Sequence, residues 1–89
     1  MITGAQIRSA RAALRWTAAE LASAAGVGVQ TVMRLEAHDG VPPSRSSSLM
    51  AIKGAMEAAG IEFIGTPDDA PGIRVGNKRS NPNGRAAVP

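Results

Sequence analysis

The sequence predicts a mainly α protein: four to five short helices followed by a small β-strand or hairpin. Three observations predict it. Thr3 stands three residues before Gln6, and Thr17 three residues before Glu20. In that spacing a threonine and a Gln or Glu satisfy each other's backbone amides at a helix start. Apolar residues then recur at helical spacing as far as Ala59, and beyond Gly60 they change to short β-prone runs. Finally, 89 residues suffice for one compact domain with a modest core.

After the first capping box, Ile7, Ala10 and Leu14 define one buried face, predicting a helix from about Gly4 to Leu14. The corner Arg15-Trp16 leads to a second helix that starts at Ala18 and turns Leu21, Ala22 and Ala25 inward. Gly26 ends it, since glycine enters positive φ without a Cβ clash. A third helix runs from about Val29 to Ala37, anchored by Val32 and Leu35. Asp39-Gly40 and Pro42-Pro43 then oppose helix continuation. Ser44 or Ser46 caps a fourth helix with the stripe Leu49, Ile52, Met56 and Ala59. Gly54 in its middle costs roughly 1 kcal/mol relative to alanine, so this helix needs tertiary support. Ile61 to Ile64 and Ile73 to Val75 read as two strands, joined by the turn-rich stretch Thr66 to Gly72. The chain thus divides into helices (1–60), a hairpin that is a candidate dimerisation element (61–76), and a polar tail (77–89). The tail has little to bury and is expected to be disordered.

Charge is less informative than its total suggests. The formal net charge is +3, yet Lys78, Arg79 and Arg85 all lie in the tail, and the basic and acidic residues of 1–76 balance. Absence of cysteine excludes disulfides and thiolate catalysis and fits a reducing compartment. No apolar run reaches the ~20 residues needed to span a bilayer. Met1 to Arg15 does not resemble a signal peptide, because Arg8, Arg11 and Arg15 interrupt it. The expectation is a soluble, cytoplasmic protein with no membrane partner.

The functional signal lies between Ala18 and Ala37. Two short helices joined by the three-residue turn Gly26-Val27-Gly28 meet the geometric requirement for a helix-turn-helix. That motif lays one helix across the DNA backbone and the next in the major groove. Ala22 is small enough for the two helices to approach, Gly26 makes the turn, and Val27 plugs the corner. At about 100° per residue, inward Val32 and Leu35 leave Gln30 and Arg34 outward with Thr31 beside them; Val29 lies at the N-terminal end, which reaches base edges. Arginine pairs with guanine O6 and N7, glutamine with adenine N6 and N7, and Val29 or Thr31 suits a thymine methyl. The expected base contacts are therefore Val29, Gln30, Thr31 and Arg34. Arg15 at the corner before the second helix, Thr17 and Gly28 at the starts of the second and third helices, and Arg45 at the start of the fourth are the expected backbone contacts.

The segments Ile7-Arg8-Ser9-Ala10-Arg11, Trp16 to Ala22, Gly26-Val27 and Thr31 to Glu36 resemble the Cro-like, XRE-type helix-turn-helix family. The resemblance covers about Ile2 to Glu36 and continues loosely through the fourth helix. Gly60 to Ile64 resembles the short strand that follows the helices in small members. It implies a phage-repressor-like domain of four or five helices that binds a double-stranded operator as a homodimer, and it implies a structural ion pair between Arg11 and Glu36. Ala18 and Gly28 stand where the family usually carries glutamine and serine or threonine, residues that brace and cap the reading helix.

Other residues have ordinary roles. Trp16 reads as a core plug at the helix corner, and His38 as a loop residue with no companion ligands for a metal site. Asp68 and Asp69 suit a hairpin tip better than paired catalysis. Gly26-x-Gly28 follows a helix, unlike a dinucleotide fingerprint. Met33, Met50 and Met56 read as core or interface filling. An enzyme is not expected, and no cofactor or metal is implied. The leading reading is a sequence-specific regulator of transcription, a repressor or auto-regulator dimerising through strand 61–64 or the fourth helix. The alternative is a protein-binding module, antitoxin-like or anti-activator-like, with weak or no DNA binding.

Overall fold

The computed structural model of the chain describes residues 2–42 and 46–76. In order these form α1 (Gly4–Leu14), α2 (Ala18–Ala25), α3 (Val29–Glu36), α4 (Ser46–Ala58), β1 (Ile61–Thr66) and β2 (Asp69–Val75). Four helices therefore precede a two-stranded antiparallel hairpin. Ser44, Arg45 and the 77–89 tail lie outside the described residues, so the readings placed on them have no structural counterpart here.

Both capping boxes close. Thr3 Oγ1 accepts from the Gln6 amide at 3.0 Å while Gln6 Oε1 accepts from the Thr3 amide at 2.8 Å. Thr17 Oγ1 accepts from the Glu20 amide at 3.0 Å, and Glu20 Oε1 accepts from the Thr17 amide at 2.7 Å. Each box satisfies two amides that a helix start leaves without partners. α1 ends on Arg15, held at φ 59° in the left-handed region. A residue with a Cβ pays about 1 kcal/mol or more for that geometry. α2 ends on Gly26 at φ 72°, where no such cost arises, and the Val27 amide turns back to the Ala22 carbonyl at 3.0 Å.

α3 stops one residue short of the expected end, with Ala37 as its cap. α4 begins at Ser46, which is its first helical residue and not a cap preceding it. The helices meet on a core whose largest fully buried members are Ile7, Leu21, Leu35, Leu49, Ile52 and Met56. Burying each such side chain contributes roughly 1.5–3 kcal/mol. Leu14 and Ala25 are only partly buried at its margin, beside Trp16 and Val27. Ala59 lies past the end of α4 and is half-buried, so the fourth-helix stripe ends at Met56.

The hairpin is longer than the sequence pattern suggests. The expected loop from Thr66 to Gly72 is instead mostly strand, because Thr66 pairs with Asp69 and only Pro67-Asp68 turn. Pro71 lies inside β2, which a two-stranded ribbon tolerates because each strand has a free edge. The register slips between Ile64 and Thr66, where Gly65 (φ 76°) opposes Ala70 (φ 53°). That irregularity is a bulge, and it absorbs the extra residue that Pro71 brings.

Beyond its capping role, Gln6 positions this ribbon. Its Nε2 donates to the Ile64 carbonyl at 3.1 Å and to the Gly72 carbonyl at 2.8 Å, and those two residues are paired across the strands. One buried amide thus joins the first turn of α1 to both strands. Ile61 enters the core, Phe63 and Ile73 pack against it, and Glu62 and Arg74 pair at 3.0 Å on the exposed side.

Candidate nucleic-acid interface

α3 is held by one side only. Val32 and Leu35 are fully buried, and Glu36 is turned inward with them. At about 100° per residue these three lie on one arc, and Gln30 and Arg34 lie on the opposite arc. Gln30 and Arg34 are exposed, Val29 is 40% exposed, and Thr31 is half-buried. All four residues expected to contact bases therefore share the accessible side of one eight-residue helix, with Thr31 at its margin.

Besides the buried Val32 and Leu35, two arginines on α1 hold the end of α3. Arg11 Nε donates to Glu36 Oε2 at 2.7 Å and Nη2 to Oε1 at 3.0 Å, so the guanidinium meets the carboxylate at two points. Its Nη1 donates to the Trp16 carbonyl at 3.0 Å, which brings the corner before α2 into the same network. The hydrogen bond to Glu36 raises the Arg11 pKa above its ordinary value, desolvation opposes this, and the charge of Glu36 adds to it. A raised value means that this group's contribution is complete below the free guanidinium's pKa. It is lost only as pH climbs past the still higher folded value, so the arginine is charged at any physiological pH. Arg8, one turn earlier, donates to the Glu36 and His38 carbonyls and pairs with Asp39 at 2.6 Å. It thereby satisfies carbonyls at the end of α3 that have no partner in their own helix. Sequence reasoning gave Arg8 no such role; its i,i+3 relation to Arg11 was the available signal.

Among the expected backbone contacts, Thr17 caps α2 with its hydroxyl oxygen, which leaves the hydroxyl proton to donate outward. Gly28 is the N-cap of α3 and supplies no side-chain hydrogen bond. Arg15 is exposed at the end of α1, next to the Trp16 carbonyl that Arg11 holds. Among the described residues Arg8, Arg11, Lys53 and Arg74 each pair with an acid, whereas Arg15 and Arg34 form no ion pair.

The methionines divide. Of the core or interface roles expected for the three, Met56 takes the core, whereas Met33 is 60% exposed and Met50 68% exposed. Met33 is on α3 itself, outward of Val32 and Leu35 by helical period, and its apolar character rather than its spacing is what reads as core or interface filling. A recess of about 140 Å³ lined by Ile2, Leu49, Met50 and Lys53 is well below the usual ligand-pocket size. No group of three or more His, Asp or Glu side chains suited to a metal occurs among the described residues, and none of their helices is long and apolar enough to cross a membrane. No family model and no curated protein matches the chain.

Proposed function

We propose that this protein is a sequence-specific, double-stranded DNA-binding regulator of transcription. It has a phage-repressor-like helix-turn-helix of the Cro-like, XRE type, and it reads the major groove with α3. One observation carries the reading. α3 is anchored on one side by Val32, Leu35 and the Arg11–Glu36 pair, and it offers Val29, Gln30, Thr31 and Arg34 on the other. The three-residue turn after α2 and the buried Ala22 between the helices are the steric features that such a reader needs. Arg34 suits guanine, Gln30 suits adenine, and Arg15 and Thr17 suit phosphates. Arg45 belongs to the same backbone set.

One α3 covers only a few base pairs, so useful specificity calls for two copies with half-sites about 34 Å apart or a multiple of that. The free edge of β1 or the outer side of α4 would join them. Occupying a promoter in this way makes the protein a repressor or auto-regulator in the cytoplasm, with no catalytic role. A protein-binding module is the second reading, favoured by the absence of a side-chain cap at Gly28 and by the scarcity of unpaired cations among the described residues. Salt separates the two. Affinity for duplexes drawn from a randomised library should fall steeply between about 50 and 200 mM salt if several phosphates are contacted. Absence of duplex binding at the low-salt end would favour the protein partner.

A further inference from the structure

We infer that Met33 is a base-contacting residue and that, together with Val29, it reads thymine methyl groups. This rests on the DNA-reading proposal above and adds a specificity determinant to it. Around the axis of α3, with Val29 as origin and about 100° per residue, Met33 falls near 40° and Gln30 near 100°. Met33 thus lies between two residues already placed against bases. A groove surface that touches both Val29 and Gln30 sweeps across it. Its 60% exposure shows that no described part of the chain covers it.

The chemistry of this arc selects the occupant. Val29 and Met33 are i,i+4 neighbours and form one apolar ridge, with Gln30 and Arg34 as a parallel polar ridge. No acid faces outward from α3, since Glu36 is turned inward and bound by Arg11, while Arg34 adds a positive charge. An acid-free, singly positive arc with an apolar ridge complements a polyanion that carries apolar points. In the major groove those points are the C5-methyl groups of thymine. Four residues along a helix span about 6 Å, near two base-pair steps of about 3.4 Å, so the ridge matches methyls on pairs close together in one half-site. The unbranched methionine side chain can bend to reach the farther one.

The test is a selection from a randomised duplex library followed by replacement of each thymine in the enriched sequence by deoxyuridine. Each swap deletes one methyl and leaves the pairing intact. Wild type should lose about fourfold in affinity at a contacted thymine, the worth of one buried methyl-sized group. Met33→Ala should bind the thymine and uracil duplexes equally at one position, and keep the wild-type response at the others. Because Met33 is exposed, unchanged thermal unfolding of the variant will show that folding is intact. If wild type and Met33→Ala respond alike to every swap, Met33 is not a base contact, although the DNA reading stands. If no sequence is enriched at low salt, as for a ridge that faces a protein, both the DNA reading and this inference fall.

Discussion

The side-chain amide of Gln6 donates to the Gly72 carbonyl at 2.8 Å, tying the first turn of α1 to the second strand of the hairpin. The same nitrogen reaches the Ile64 carbonyl, and the side-chain oxygen caps Thr3. Gln6→Ala removes one hydrogen bond from each of the Ile64 and Gly72 carbonyls and leaves the buried Thr3 amide without its partner. It should cost about 2–3 kcal/mol in urea unfolding. Faster amide exchange in β1 and β2 than in α3 will show that the hairpin loosens first. Equal loss of protection in both places would contradict the clamp.

The Arg11–Glu36 contact is a double-mutant problem. Its side chains are 28% and 10% exposed, so removing one leaves a poorly solvated charge. Arg11→Met or Glu36→Leu alone should destabilise by about 2–3 kcal/mol, somewhat less than a fully buried pair. The double variant Arg11→Met, Glu36→Leu should recover much of that loss. Additive losses in denaturant titrations would mean that the two side chains act independently.

Two glycines should respond in opposite directions. At Gly4 a Cβ would run into the His38 carbonyl and lie 2.5 Å from the Leu35 carbonyl oxygen, both backbone atoms that cannot step aside. Gly4→Ala should therefore cost about 2–3 kcal/mol. At Gly54, exposed inside α4, a Cβ meets nothing within 4 Å. Gly54→Ala should stabilise by about 0.5–1 kcal/mol. Thermal unfolding of the two variants checks both signs.

Arg15 opposes stability to function. It holds φ 59° at the end of α1, so Arg15→Gly should raise stability by about 1 kcal/mol. The same change removes a cation that the proposed DNA reading sets against phosphate, so on that reading duplex affinity should fall and the salt slope shrink by about one. A variant that is more stable and binds DNA as well as wild type would take Arg15 out of the interface.

Much of the helical part is legible in the sequence because its signals are local. Thr3 with Gln6, Thr17 with Glu20, and Gly26 each mark a helix end within four residues, and Val32 with Leu35 orients α3 by periodicity alone. What escapes is set by contacts distant in sequence. Gln6 reads as a cap, and nothing near it reveals that its amide also holds Ile64 and Gly72. Nothing local to Arg8 shows that the end of α3 lies beside it. Pro71 and Gly72 argue against a strand, and they are tolerated only because a bulge and two free edges accommodate them. Met33 falls outward by the periodicity that orients α3, but an apolar side chain there reads as core or interface filling until its 60% exposure is seen.

The outward side of α3 as a reader of duplex DNA is the central claim, and Arg34 tests it most directly. Wild type and Arg34→Ala are titrated by fluorescence anisotropy against the library-enriched duplex and against a scrambled one of equal length. Arg34→Ala should lose about 5- to 150-fold on the enriched duplex, equivalent to about 1–3 kcal/mol, and much less on the scrambled one. Equal affinity of the two proteins for the enriched sequence would contradict it.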